Sequence, residues 1–594
     1  VTRNPAPQIP PDARSLVTIV NFSITRSGLQ GQLLGITVEH ENPELETKKN
    51  ELFQKEETLK IQLAALEKEL LGELAESEGN ILENKKLIDS LNELKAKSST
   101  IADALIESER VKENIERDRQ MFLPVAKTGS ILFFYIRELH KLNPMYTFSL
   151  PPFLKLFRFS LGSERQPDVS VETRTSLLIE SLRRIVFDFV SRSLFKKDRL
   201  SFSLQYVHLL FPEMFQEGEW EYFLGMTTSA GSSRNLGDDL PSWASHECKG
   251  QWYALQIRYP ALVSRLNMSD ENFWSSWAHS SACEKEFPAQ MRAEVSPFQQ
   301  VLLTQALRPD RLASSLEFFC LQSLKRPSMA PVASSLQDVY AESSAPEPIL
   351  IITTPGADPT LELQELAKSV VGERRYHEVA MGQGQQRIAT DLLRSCARSG
   401  EWLCLKNLHL VTVWLPVLEK EINSLNPHSG FRLWFTAEEH PRFSPILLQL
   451  SLKVTFEAPP GVKKSLQRTF EGFSQDSLQN GPPIKAQLLF VLAWFHAIVQ
   501  ERRSYVPQGW TKFYEFSATD FRSAAEVIEN VLTTSAKPDW DKIHGLISLA
   551  IYGGRIDNDF DVRVLLSYLK WYFCNETISS SQRNVRRLAP KVGL

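Results

Sequence analysis

The sequence predicts an α/β plus α fold: a parallel, doubly wound sheet with helical lid subdomains, joined to an antiparallel coiled-coil hairpin. Three observations predict it. Residues 44–120 hold no proline, carry only Gly72 and Gly79, and repeat leucine every seven positions. Residues 348–456 alternate short β-branched apolar runs with amphipathic stretches, the pattern of strands joined by crossover helices. The segments that follow each of these are rich in aromatic residues and apolar nearly all round, as buried helices are.

The heptad series is Leu45, Leu52, Leu59 and Leu66, then Leu87, Leu94 and Ile101. Leu63 and Leu70 fill alternate slots, so the apolar seam has the 3.5-residue period of a coiled coil. Gly79, Asn80 and Ile81 mark the reversal, because glycine and asparagine tolerate left-handed backbone. Each arm of about 33 residues would reach about 50 Å. A single exposed helix is the alternative.

Totals narrow the classes. The chain has 594 residues, a net charge of −4, 42% hydrophobic and 23% charged residues. That composition is ordinary for soluble globular protein and gives no bulk attraction to nucleic acid. No apolar run is long enough to span a membrane. The start at Val1, without Met or signal peptide, leads us to expect a fragment. Six scattered cysteines without a C-x-x-C pair argue for a reducing compartment and against disulfides. His246 and Cys248 lack partner ligands, so no metal site is expected.

In chain order, residues 15–25 (SLVTIVNFSIT) read as a buried strand, followed by a short helix over 29–34. After the hairpin, helices are expected over 125–142, 171–196 and 198–210. Residues 216–344 look less regular, with a loop over 228–239, a helix over 297–307 and a linker over 327–335. Strands follow at 349–352, 376–381, 402–410, 431–436 and 452–456, with helices over 360–370 and 386–399. Helices over 486–500, 518–532, 540–551 and 560–572 close the pattern, and 575–594 form a basic tail. The two ends echo each other: Thr2, Pro11, Phe22 and Gly28 match the order of Thr436, Pro445, Phe456 and Gly461, which suggests a repeated module.

The first strand and turn of the second α/β unit stand where a phosphate-binding loop would. That chemistry needs glycines to aim N–H groups, a lysine for the phosphates and a hydroxyl for Mg²⁺. Only Gly356 and Thr360 remain, and Asp358 would repel a phosphate. The third strand should end in acidic residues to hold the metal. It ends in Lys406 and Asn407, and Thr436 ends the fourth. The site therefore reads as degenerate, with neither phosphate loop nor acidic pair intact. The Gly382–Gln385 run reads as a tight turn or an anion cradle, and His496 as a core histidine. Catalytic and metal-binding residues are not expected.

Several long motifs, in order, resemble the dynein heavy chain motor: PVAKTGSILFF from Pro124, NPMYTFSLPPFLKLF from Asn143, LRPDRL from Leu307, PGADP from Pro355, GQGQ from Gly382, LKNLHL from Leu405, FRLWFT from Phe431, HPRF from His440 and YGGR from Tyr552. The wording around WFHA, QERRSY and QGWTKFYEFS, from Trp494, Gln500 and Gln508, most resembles the dynein 2 branch, which serves retrograde intraflagellar transport in cilia. The resemblance implies degenerate AAA+ modules. Residues 1–43 would end the fifth module's large subdomain, 44–120 would be the buttress (strut), and 121–345 that module's helical small subdomain and connection. Residues 346–479 would be the sixth module's large subdomain, 480–574 its lid, and 575–594 a flexible tail. Arg3 and Arg14 lie where such proteins can place an arginine finger; a solvated role is the alternative. The resemblance further implies a minus-end-directed microtubule motor, with ATP and Mg in the parent protein and none in this segment. Its partners would be the other modules and stalk of the same chain, intermediate, light intermediate and light chains, and microtubules. The place would be cytoplasm, cytoskeleton and cilium. A stand-alone ATPase and a coiled-coil tether are the rival readings.

Overall fold

A computed structural model of the protein describes residues 10–16, 24–76, 85–162, 170–226, 243, 246–266, 271–287, 295–330, 335–355, 357–382, 384–457, 461–471, 483–503, 505–514, 516–534 and 538–578. The chain divides into two compact units, Val1–Ala333 and Ser334–Leu594.

In the first unit, Ser15 and Leu16 close a six-residue helix, α1 (Pro11–Leu16), so the strand reading does not hold for them. Residues 17–23 lie outside the described set, as do Arg3 and the side chain of Arg14. The expected short helix is instead the 16-residue α2 (Arg26–Glu41). Thr25 caps it by accepting from the Gly28 N–H at 3.1 Å, and Gly31 and Gly35 do not stop it.

Two long helices follow, α3 (Pro43–Glu76, 34 residues) and α4 (Lys85–Gln120, 36 residues). They lie side by side. Arg119 meets Glu46 at 3.3 Å and Lys112 meets Glu56 at 3.6 Å, so partners rise on one helix as they descend on the other. Leu45, Leu52, Leu59 and Ile101 are half-buried, and Ile115 is buried. Leu52 and Ile115 line one small gap between the helices. Gly79, Asn80 and Ile81 lie outside the described residues, as do the side chains of Leu66, Leu87 and Leu94.

The helix α5 (Leu123–Glu138) starts with Pro124 in its first turn, where the missing N–H costs nothing. It buries Val125, Leu132, Phe133 and Ile136 and packs along α2, whose Leu29, Leu33 and Val38 are fully buried. Gly129 permits that approach: a Cβ there would come within 2.9 Å of Leu33 Cδ1 and 3.0 Å of the Phe157 ring. Next come α6 (Leu150–Leu161), which sequence reading did not assign, α7 (Val171–Ser191) and α8 (Lys196–Leu210). The expected helix over 171–196 thus stops five residues early, at Ser191. The stretch read as less regular holds the helices Lys249–Arg258, Pro260–Arg265, Glu271–His279 and Leu312–Ser323 besides the expected Pro297–Leu307. They surround a core containing Trp252, Trp274, Trp277 and Phe298.

The second unit carries one five-stranded sheet: β1 (Ile349–Thr353), β2 (Tyr376–Ala380), β3 (Trp402–Lys406), β4 (Arg432–Glu438) and β5 (Leu452–Phe456). All neighbours are parallel, in the order β2-β3-β4-β1-β5. β1 is buried along its whole length, as a central parallel strand of Ile and Leu should be. β3 stops four residues before the expected end: Asn407 turns into left-handed backbone at φ 58°, and Leu408–Val411 form a 3-10 turn. Gly400, at φ 74°, ends the helix Gln386–Ser399, and a Cβ there would come within 2.5 Å of His428. The short helix Leu336–Glu342 belongs to this unit, and Arg432 ties it down by donating to the Ser343 hydroxyl at 2.9 Å.

The remainder is helical: Pro483–Arg502, Ala518–Thr534, Trp540–Gly545 and Asp559–Tyr572 around a core of Leu492, Phe495, Trp510, Phe516 and Tyr552. The expected helix over 540–551 widens after Gly545 into a π-type turn, where the Tyr552 N–H reaches the Ile547 carbonyl at 3.0 Å. The prolines opening α1 and the helix Pro445–Leu450 are the pair the internal echo matched, and both helices are six residues long.

Candidate functional site at the strand ends

The carboxyl ends of β1, β3 and β4 converge, which is where open parallel sheets bind ligands. Residues after β1 enter the turn before the helix Thr360–Val370, whose first N–H groups would face a phosphate. Gly356 lies outside the described residues. Asp358 takes the phosphate's place: its Oδ1 accepts from the Thr360 N–H at 3.0 Å and also from the Thr360 hydroxyl. A carboxylate there satisfies one N–H of the helix start and sits favourably at the positive end of its dipole.

Lys406, at the end of β3, is committed to Glu378 of β2, with Nζ 2.5 Å from Oε1. The other Glu378 oxygen accepts from Gln364 at 3.2 Å and from the Tyr376 hydroxyl at 3.3 Å. Asn407 donates its N–H to the Thr436 hydroxyl at 3.1 Å, which couples the ends of β3 and β4. His409 then accepts from the Glu438 N–H at 3.1 Å. Burial, with His440 nearby, holds the His409 imidazole below its usual pKa, so it is neutral near pH 7 and serves as an acceptor. Pro355, Asn407, His409, Leu410, Glu438 and Phe513 line a cavity of about 400 Å³ over these ends.

The structure thus brings Asp358 to Thr360, Lys406 to Glu378, and Asn407 to Thr436. These residues do not fit a magnesium nucleotide. The first helical N–H, that of Thr360, is taken by a carboxylate. The metal position offers an amide and a paired ammonium, and no lysine stands in the turn. Sequence reading missed Glu378, His409 and Phe513, for which only the strand order and the placement of residues 505–514 provide a signal.

Other candidates resolve plainly. Gly384 sits at φ 83° in a tight turn closed by Gln385 N–H to the Gly382 carbonyl. His496 is buried and hydrogen-bonded to the Tyr552 hydroxyl at 2.8 Å, and burial lowers its pKa to about 4. The six cysteines are free thiols, and Cys248 donates to the Leu307 carbonyl. His377, Cys396 and Glu401 place ligand atoms within 4.8 Å of one another, and His377 and Glu401 already bond each other at 2.8 Å. Among the described residues, no helix is long and apolar enough to cross a membrane.

Comparison with known proteins gives three family matches along the chain. Residues 1–101 match the ATP-binding dynein motor region, 344–455 the dynein heavy chain region D6 P-loop domain, and 485–591 the dynein heavy chain AAA lid domain. Cytoplasmic dynein 2 heavy chain 1 of Rattus norvegicus is 50% identical over 99% of this chain, and that of Chlamydomonas reinhardtii is 49% identical over 99%. Human dynein axonemal heavy chain 2 is 30% identical over 97%. The chain spans about 14% of the length of the dynein 2 relatives. With matched motor regions in sequence order and half of its residues shared with the dynein 2 chains, the protein belongs to the dynein heavy chain family.

Proposed function

We propose that this chain is the trailing part of a dynein 2-type motor ring, serving as scaffold and mechanical coupler for retrograde, minus-end-directed transport along ciliary microtubules. The identity of about half of its residues to dynein 2 heavy chains, along 99% of this chain, carries the reading. The parent motor would turn over ATP and Mg elsewhere in its ring. It would work with the other modules and stalk of the same chain, with intermediate, light intermediate and light chains, and with microtubules.

On this reading residues 1–43 and 121–345 belong to the fifth AAA+ module, and 346–479 and 480–574 to the sixth. Residues 44–120 form the buttress, an antiparallel coiled coil. The cross-helix pairs Glu46–Arg119 and Glu56–Lys112 support that arrangement. Ring changes would drive this rod against the stalk and shift its helix register, altering microtubule affinity. In the full-length motor, Lys112→Glu combined with Arg119→Glu should then lower microtubule-stimulated ATPase toward the basal rate while basal turnover persists. Stimulation equal to that of the parent would refute the coupling role.

The sixth module would hold its shape without nucleotide, because Asp358 supplies the anion that a phosphate supplies elsewhere. Calorimetric titration of the chain with MgATP should give no binding tighter than about 1 mM, equivalent to about −4 kcal/mol. A micromolar isotherm would favour a stand-alone ATPase instead.

A further inference from the structure

The first unit contains a second concave surface, unrelated to the strand-end site. It is a groove of about 800 Å³ lined on its charged side by Arg174, Arg183, Arg184, Lys325 and Arg326, with Glu180 the one carboxylate in its wall. Two of these cations are spoken for. Arg174 binds Glu41 at 2.9 Å, and Arg326 binds Asp188. Arg183, Arg184 and Lys325 have no ion-pair partner among the described residues.

Two details show a cost borne for these charges. Arg183 is half-buried, its Nε meets no acceptor among the described residues, and its guanidinium donates to the Leu210 carbonyl at 3.3 Å. Glu213 and Glu180 act on it without closing an ion pair, so this guanidinium is partly desolvated at a cost. Lys325 sits just past the helix Leu312–Ser323 in left-handed backbone, φ 52°, at the position where helices favour glycine. The motif is closed by the Arg326 N–H to the Leu321 carbonyl at 3.0 Å. Glycine would suit the fold better, so the side chain is retained at a conformational cost, and such costs gather at functional sites.

The groove is also shaped for more than a small ion. Phe211 and Phe187 lie beneath the Arg183 and Arg326 guanidiniums at 4.6 and 4.8 Å, which holds both planes. Leu177 and Leu324 complete an apolar floor. The geometry points to a docking groove for an acidic peptide segment of a partner chain, its carboxylates on Arg183, Arg184 and Lys325 and an apolar side chain on the floor.

The probe is a fluorescein-labelled peptide of alternating glutamate and leucine, titrated into the full 594-residue chain by fluorescence anisotropy at low salt. Saturable binding that weakens with salt is expected. Arg184→Glu, at an exposed site, should weaken it about tenfold or more. Lys325→Gly should weaken it about threefold while raising the thermal unfolding midpoint. That opposite movement separates a binding role from a structural one. No saturable binding, or unchanged affinity in both variants, would overturn the assignment.

Discussion

Glu41→Ala should destabilise the first unit by about 3 kcal/mol or more, because it strands a buried guanidinium. Glu41 is the last residue of α2, and Arg174 lies in the first turn of α7. Arg174 Nε and a terminal nitrogen reach the two Glu41 oxygens at 3.2 and 2.9 Å, and both residues are buried. Asn42 and Pro43 follow directly, so this fork clamps the root from which α3 departs. Burial pushes the Glu41 carboxyl up, but hydrogen bonds and charge from Arg174 and His40 more than offset this and hold it below its ordinary 4.5. A folded pKa below the unfolded value adds stability above about pH 4.5, lost as pH falls through the folded pKa. Urea denaturation at pH 7 should therefore show the full deficit, shrinking toward pH 4. Glu41→Ala combined with Arg174→Met should cost less than the sum of the single changes. Additive losses would mean that the pair does not act as a unit.

Asp561→Ala should cost a similar amount, about 3 kcal/mol, in the second unit. Asp561 is buried near the start of the helix Asp559–Tyr572. It accepts from the Thr511 N–H at 3.1 Å, from the Thr511 hydroxyl and from the Tyr514 hydroxyl at 2.9 Å. Alanine leaves the buried Tyr514 hydroxyl without this acceptor and releases the exposed Thr511 to water, so the loop loses its tether. Asp561→Asn keeps one acceptor oxygen and should recover part of the loss. The effect should reach the strand-end cavity, since Phe513 lies between the two tethered residues and lines it. Hydrogen exchange over residues 508–516 should accelerate in the alanine variant before global unfolding does. Unchanged protection there would show that the loop is held by its aromatic packing alone.

The sheet was the most legible part of the fold. β1 is a short apolar run and β5 an alternating Leu-Lys-Val-Thr-Phe, and the helix Gln386–Ser399 has clean amphipathic spacing. β3 was over-extended because LKNLHL alternates like a strand; a single left-handed Asn407 ends it, and nothing local demands that conformation. The short helices Lys249–Arg258 to Glu271–His279 were missed because helices of five to ten residues owe their stability to tertiary burial, here of Trp252, Trp274 and Trp277. At the strand-end site, the missing lysine and acidic pair could be read directly. The occupancy could not. Glu378 reaches Lys406 through the parallel register of β2 and β3, a neighbourhood that sequence spacing does not encode. Along α3 and α4, periodicity predicts an apolar face, but which charges meet between the two helices depends on how they align.

The carboxylate of Asp358 has a consequence for descent. A module that loses its lysine alone can regain it in one step, because the amide cradle still waits for an anion. Here the vacancy has been filled from within, so a restored lysine would meet an aspartate already seated on Thr360. On the proposed reading, recovery would need Asp358 removed, a lysine supplied and Lys406 and Asn407 made acidic, and the first and third of these would break the contacts of Asp358 with Thr360 and of Lys406 with Glu378. On that reading the side chain would act as a ratchet, making the fold independent of a ligand and closing the gradual path back to needing one.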